Sequence, residues 1–232
     1  MTLPTQTLLE NYKSLRLIGD EKNVIQLLQG QLTSDINEVT EKNSQLSAMC
    51  NEKGFLIADM FVSKHESEFL LTLNDSKIEE VIQELAKYLP FYKLNLEIDN
   101  RLVAGSINNH GGNHCYFKSD KHSFNLVFCM DEINLDNYIS PWKLAHWEEG
   151  IYFLEDFLIQ KTRPQEVGFD KNRVSFTKGC YRGQEIVARM HYLSKKKNQI
   201  KLSQASEEIK SDKILTNQIK HNNLFWFLET VN

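Results

Sequence analysis

Glycine, proline and cysteine are all scarce in this 232-residue chain, with 10, 4 and 4 copies. Little glycine and proline excludes a collagen-like or low-complexity chain, and 41% hydrophobic residues is typical of a globular protein. The four cysteines are widely spaced without a Cys-x-x-Cys pair, which favours reduced thiols over a disulfide framework. The sequence also lacks a long apolar run and a signal-peptide pattern, so we expect a cytoplasmic protein without a membrane segment.

Charge is nearly balanced overall but unevenly distributed along the chain. The formal net charge is -4, yet residues 161–201 contain 11 basic and 3 acidic residues, which makes that segment +8 and the remainder -12. A basic segment of this kind favours an anionic ligand or partner. The net negative charge and the lack of aromatic stacking motifs argue against a direct nucleic-acid binder, which we place last among the candidate functions.

Helical and strand-like patterns are mixed along the chain without a regular order. Strand-like runs at 46–50 and 55–62 flank residues 51–54, a hairpin signal because the connection ends in glycine. An apolar stripe between Ile78 and Leu89 predicts a helix that starts with a capping box of Ser76 and Glu79 and stops at Pro90. This mixture predicts the α+β class.

The densest group of chemically useful residues is the segment 178–185, Lys-Gly-Cys-Tyr-Arg-Gly-Gln-Glu. Lys178 and Arg182 flank Cys180, and a helix beginning after Gly183 would add its N-terminal dipole, so this thiol should be the most reactive of the four. By the same reasoning Cys50 and Cys129, inside apolar runs, should be buried. Spacing alone leaves open whether the segment is a reactive site or a tight glycine turn around a buried small residue.

The segment 178–185 resembles the signature of the YgfZ family of folate-binding proteins, relatives of the aminomethyltransferase (T-protein) of the glycine cleavage system. Further matching segments lie between residues 15 and 195, at 30–35, 52–54, 164–165, 174–177 and 187–189. The resemblance implies ferredoxin-like α+β units around a central hole that holds a tetrahydrofolate, followed by a C-terminal β-barrel that is truncated here. It implies a folate-binding domain of residues 1–45 and 108–195, an inserted domain of residues 46–107 and a C-terminal segment of residues 196–232.

The resemblance also implies site residues. Cys180, with Lys178, would be the functional centre, and Glu185 would read the pterin ring, whose N–H edge a carboxylate can accept in bidentate fashion. The remaining implied folate-binding residues are Gln184, Gly183, Tyr181, Arg182, Arg189 and Asp59. The basic candidates for the glutamate tail of the folate are Lys178, Arg182, Arg189 and Lys195 to Lys197.

The function implied by the resemblance is that of a folate-binding accessory protein. Such a protein supports the assembly or repair of iron–sulfur clusters in client enzymes, including radical enzymes that modify tRNA. The alternative is a folate-dependent aminomethyltransferase or another one-carbon transferase, against which Ala58 occupies the place of a second acid beside Asp59. No metal site is predicted. His110, His114 and Cys115 lie in or next to a predicted polar loop, and the sequence offers no matching second pair of metal ligands.

Overall fold

The computed structural model describes residues 6–108, 114–130, 139–193 and 199–231. Its α-helices are α1 (Glu21–Gln31), α2 (Ile78–Ala86), α3 (Leu89–Tyr92), α4 (Ile139–Glu148) and α5 (Gln184–Leu193). Its strands are β1 (Gln6–Leu8), β2 (Tyr12–Ile18), β3 (Gln45–Cys50), β4 (Leu56–His65), β5 (Glu68–Asn74), β6 (Asn95–Asp99), β7 (Leu102–Ile107), β8 (Cys115–Lys118), β9 (Ser123–Cys129), β10 (Gln199–Ala205), β11 (Ile219–His221) and β12 (Leu224–Val231). The predicted α+β class is confirmed.

The largest sheet is antiparallel and has five strands in the order β3-β4-β5-β2-β6. Helices α1 and α2 contribute Leu27, Leu28 and Val81 to one fully buried cluster with Leu15 and Leu71 of the sheet. Burying such side chains contributes about 1.5–3 kcal/mol each, so this cluster stabilises the half of the molecule that carries β4.

The helix predicted from the apolar stripe of Ile78 to Leu89 starts and ends differently in the structure. A 3₁₀ turn, Asp75–Lys77, precedes α2, and the side chain of Asn74 caps it by accepting from the Ser76 N–H at 3.0 Å. The predicted capping box is therefore wrong, since Asn74 already satisfies this donor. Pro90 does not end the helical region but lies in the first turn of α3, where its missing N–H is tolerated.

A second antiparallel sheet has the strand order β1-β7-β9-β8, and α4 packs on it. A Cβ at Gly105 would overlap the indole of Trp142, so glycine lets α4 approach β7 closely. On the same helix His146 is fully buried, with Nδ1 2.6 Å from the Trp142 carbonyl and Nε2 2.8 Å from the Tyr116 hydroxyl. Burial lowers the pKa of His146 to about 3, so the ring is neutral at physiological pH.

After α5 the chain forms a three-stranded antiparallel sheet, β10-β12-β11. Leu215 and Leu228 from this region join a buried cluster that also contains Trp147, Phe169 and Val187. The C-terminal sheet therefore packs on the body of the protein. None of the described helices is long and apolar enough to span a membrane.

The predicted division into domains stays a prediction. The five-stranded sheet joins β2 to strands between residues 45 and 99, and the four-stranded sheet joins β1 and β7 to strands between residues 115 and 129. Strand pairing thus links segments from both sides of the boundaries proposed at residues 45 and 107.

Candidate functional site

The segment 178–185 lies where the end of α1 meets the turn of the β3–β4 hairpin. The Arg182 N–H donates to the Gly30 carbonyl at 3.0 Å. Gly183 has φ +80°, and a Cβ there would overlap the Asn51 carbonyl oxygen and lie 3.2 Å from the Gly54 Cα. Helix α5 then begins at Gln184, as the sequence predicts. The two glycines of the contact, Gly54 and Gly183, allow the hairpin and the start of α5 to touch through their backbones.

Lys178 reaches from this segment to the C-terminal end of α1. Its ammonium donates to the Leu32 carbonyl at 2.7 Å and the Ser34 carbonyl at 2.8 Å, and its side chain is buried. A positive charge at a helix C-terminus is favourable, and the Leu32 carbonyl is the C-cap carbonyl of α1. Burial lowers the pKa of Lys178 to about 8, which the nearby Asp35 partly opposes. In this structure Lys178 ties the segment to α1.

Cys180 and Glu185 are exposed, as is Gly179, and the other members of the segment are buried or half-buried. The charges expected to activate the Cys180 thiol have other partners, because Lys178 donates to carbonyls and Arg182 forms an ion pair with Glu84 at 2.6 Å. Exposure, rather than these charges, therefore distinguishes Cys180 from the other cysteines.

Tyr181 and Gln184, which lie between Cys180 and Glu185 in the sequence, contact neighbouring protein groups. The Tyr181 ring is buried 5.2 Å from the Lys178 ammonium, and its N–H donates to the Gln184 side-chain oxygen at 3.3 Å. The Tyr181 hydroxyl is buried without a hydrogen-bond partner among the described residues, and burial raises its pKa.

The other cysteines divide by burial. Cys50 is fully buried, as expected, and burial raises its pKa to about 12. Cys115 is half-buried. The expectation that Cys129 is buried is wrong, because it ends β9 and is half-exposed there.

Asp59 lies away from this segment, in the middle of β4. One of its carboxylate oxygens accepts the Leu154 N–H at 3.1 Å, and the other is 3.2 Å from Nη2 of Arg173. Both side chains are almost completely buried, with 4% exposure for Asp59 and 0% for Arg173. Isolated charges are not tolerated at such positions, so the two groups need each other.

Asp59 lines a cavity of about 490 Å³ between β2, β4 and the segment that follows α4. The rings of Tyr12 and Phe153 form part of its wall and meet edge to face, with centroids 5.9 Å apart. Lys77 and Lys143 also line it. The cavity therefore combines aromatic faces with carboxylates and two cationic groups. We call it the central cavity.

Glu155 is a second carboxylate of the central cavity that the sequence reasoning missed. Its two oxygens accept hydrogen bonds from the backbone N–H and side-chain amide of Asn217, at 3.1 and 2.7 Å. Burial raises its pKa, as expected for a carboxyl group removed from water. No sequence motif surrounds Glu155; only its place in the fold brings it near Asp59.

The basic segment 161–201 does not form one continuous patch in the described structure. Arg173 and Lys178 are buried, Arg182 is paired, and Arg189 is exposed on α5. Lys195 to Lys197 lie outside the described residues, as does His110. Within the described ranges no three His, Cys, Asp or Glu side chains are grouped as metal ligands would be.

Comparison with known proteins supports the family resemblance. The sequence matched none of the protein-family models against which it was compared. It is 28% identical over 257 residues to the tRNA-modifying protein YgfZ of Colwellia psychrerythraea, covering 95% of this chain and 79% of that protein. It is also 28% identical over 223 residues to the tRNA-modifying protein YgfZ of Buchnera aphidicola, covering 81% of this chain and 69% of that protein. The predicted resemblance to YgfZ proteins is confirmed.

The fold is shared with a solved structure. The crystal structure of glycine cleavage system aminomethyltransferase T from Bartonella henselae superposes with a TM-score of 0.68 at 10% sequence identity. The match covers 97% of this chain and 78% of the aminomethyltransferase. At this identity the match establishes the fold alone, and the predicted T-protein-like fold is confirmed.

Proposed function

We propose, from the similarity to YgfZ proteins, that this chain is a tetrahydrofolate-binding accessory protein. In this proposal the protein acts in the cytoplasm. It supports the assembly or repair of iron–sulfur clusters in client enzymes, including radical enzymes that modify tRNA. The observation that carries the folate part is the central cavity, with Asp59 buried in its wall beside aromatic rings.

The residues of the central cavity fit the pterin ring. A pterin is flat and presents N–H donors on one edge, so it suits a site with aromatic faces and carboxylate acceptors. Tyr12 and Phe153 supply the faces, and Asp59 and Glu155 supply the acceptors. A volume of about 490 Å³ lies within the usual range of small-molecule sites, about 300–1,000 Å³. We therefore place the pterin here rather than beside residues 178–185.

The lysines of the cavity suit the anionic tail. The Lys77 ammonium is 3.3 Å from the exposed Asp156 carboxylate, and Lys143 lies close enough to Glu155 to lower the pKa of that carboxyl against the larger effect of burial. A folate glutamate can compete for either cation, because Asp156 is 72% exposed and its ion pair is weak.

Cys180 is the residue proposed to act in the support of iron–sulfur client enzymes. A thiolate is a soft ligand for iron, but iron–sulfur clusters take four ligands as a rule, so one cysteine does not hold a cluster alone. An exposed thiol on a folate-binding body is suited to transient contact with a client enzyme. Replacement by serine should leave folate affinity within a few fold and impair iron–sulfur enzymes in cells that lack the wild-type protein.

Calorimetric titration with tetrahydrofolate tests the proposed site through two matched variants. Glu155→Gln should weaken binding at least about tenfold, because an amide does not accept two N–H groups symmetrically. Glu185→Gln, the same change on the exposed face of α5, should leave affinity unchanged.

The opposite pattern would place the ligand against residues 178–185 and contradict the assignment to the central cavity. Absence of binding to wild-type protein would refute the folate proposal. Glycine-dependent methylene transfer in the same samples would favour an aminomethyltransferase over an accessory protein.

A further inference from the structure

Arg173 is a fully buried cation whose only predicted role is its contribution to the charge of the basic segment 161–201. Its Nη2 donates to the Asp59 carboxylate and to the Tyr152 carbonyl, and its Nη1 donates to the Asn172 side-chain oxygen at 2.7 Å. Its guanidinium also lies 3.9 Å from the centroid of the Phe169 ring. These four contacts hold the guanidinium in one position.

The ion pair of Arg173 and Asp59 joins residues that line two different cavities. Asp59 lines the central cavity, whereas Arg173 lines a second cavity of about 320 Å³ beside β3 and residues 171–175. The ion pair therefore links a residue of the central cavity to a residue of the second cavity.

Each Asp59 oxygen has one protein donor, from Leu154 or Arg173. A carboxylate offers about four acceptor positions, so two protein donors leave acceptor capacity for a ligand. The groups that interact electrostatically with this ion pair include the hydroxyls of Tyr12, Tyr116 and Tyr152 and the ring of His146, and Glu155 also acts on Tyr12. Arg173 supplies the positive charge among them.

We infer that Arg173 is a positioning residue: it holds the Asp59 carboxylate in one orientation so that this group selects ligands presenting N–H donors to the central cavity. The inference rests on the proposed function, because it assigns to Asp59 the recognition of an N–H group of the folate. Without Arg173 the buried carboxylate would lose its ion-pair partner and the donor to one of its two oxygens, so its orientation would no longer be held.

The test compares two probes, 5-formyltetrahydrofolate and its analogue with a methyl group in place of the 2-amino group. The quantity measured is the ratio of their dissociation constants. Wild-type protein should bind the amino probe at least about tenfold more tightly, since the methyl analogue leaves a buried acceptor unpaired. In Arg173→Gln, which removes the charge but keeps an amide donor, the ratio should fall at least about threefold below that of wild type, while Glu155 keeps the rest of the preference.

Arg173→Lys gives an intermediate ratio in this scheme and covers the case in which the glutamine variant does not fold. Lysine keeps the charge, but a single ammonium does not reproduce the planar arrangement that meets Asp59, Asn172 and Tyr152 together. The matched control is Arg101→Gln. This change breaks another largely buried ion pair, in which Arg101 lies 2.6 Å from Asp99, and both residues line a different cavity. Its ratio should equal that of wild type.

The outcomes separate this inference from the proposed function. A wild-type ratio near one, or an unchanged ratio in both Arg173 variants, would overturn the positioning role while leaving folate binding intact. Equal weakening of both probes in the variants would mean that Arg173 only stabilises the fold. Failure of wild-type protein to bind either probe would refute the proposed function itself, and the positioning role with it.

Discussion

Replacing Gly183 by alanine tests whether the segment 178–185 is held by backbone contact with the β3–β4 hairpin. The residue has φ +80°, in the left-handed region, and its added methyl group would overlap the Asn51 carbonyl oxygen. That oxygen is not free to move, because it accepts the Gly54 N–H at 2.9 Å and closes the hairpin turn. Gly54 itself has φ +74° and lies on the other side of the contact.

The expected loss of stability has two parts. Placing alanine in the left-handed region costs about 1–2 kcal/mol. Forcing the start of α5 away from the hairpin is an overpacking effect of about 1–3 kcal/mol. Together they predict a loss of about 2–5 kcal/mol, and a chain of this length loses roughly 2–4 °C of Tm per kcal/mol. The Tm of Gly183→Ala should therefore fall by about 4–20 °C.

Gly179→Ala is the matched control within the same segment. No atom lies within 4 Å of a Cβ at Gly179, and its backbone is outside the left-handed region. Its free energy of unfolding in urea should stay within about 0.5 kcal/mol of wild type. A loss below about 1 kcal/mol for Gly183→Ala, or equal losses for both variants, would refute the proposed contact with the hairpin.

Two further predictions concern titration and reactivity. His146 should lower the free energy of unfolding as pH falls from about 6.5 to about 3, because the unfolded state takes up a proton that the folded state excludes. By linkage the loss is about 3–5 kcal/mol. It is measured in urea as the difference in unfolding free energy between wild type and His146→Phe across that pH range. A constant difference would contradict it. In pH-dependent alkylation of folded protein, read by peptide mass spectrometry, Cys180 should react first and Cys50 last, because Cys180 is exposed and Cys50 is buried with its pKa raised to about 12. Slow labelling of Cys180 would remove its proposed role.

The motif 178–185 shows where sequence reasoning succeeded and where it failed. The sequence predicted the start of α5 after Gly183, because local glycine and helix-start signals depend on neighbouring residues alone. It also assigned Lys178 and Arg182 to activation of Cys180. The structure instead directs Lys178 to the end of α1 and Arg182 to Glu84, residues far away in the chain. Adjacency in sequence does not determine which acceptor a long side chain reaches.

The sequence by itself determined the class of fold, the β3–β4 hairpin and the family resemblance. These features depend on hydrophobic periodicity, turn residues and a contiguous motif, all of which are local. Only the tertiary structure decided the site. It brought Asp59 of β4, Glu155 beyond α4 and the aromatic rings of Tyr12 and Phe153 around one cavity, and it paired Arg173 with Asp59. The physical reason is that a buried carboxylate requires a cation and a binding cavity requires several walls, and the folded chain supplies both from segments nearly 100 residues or more apart.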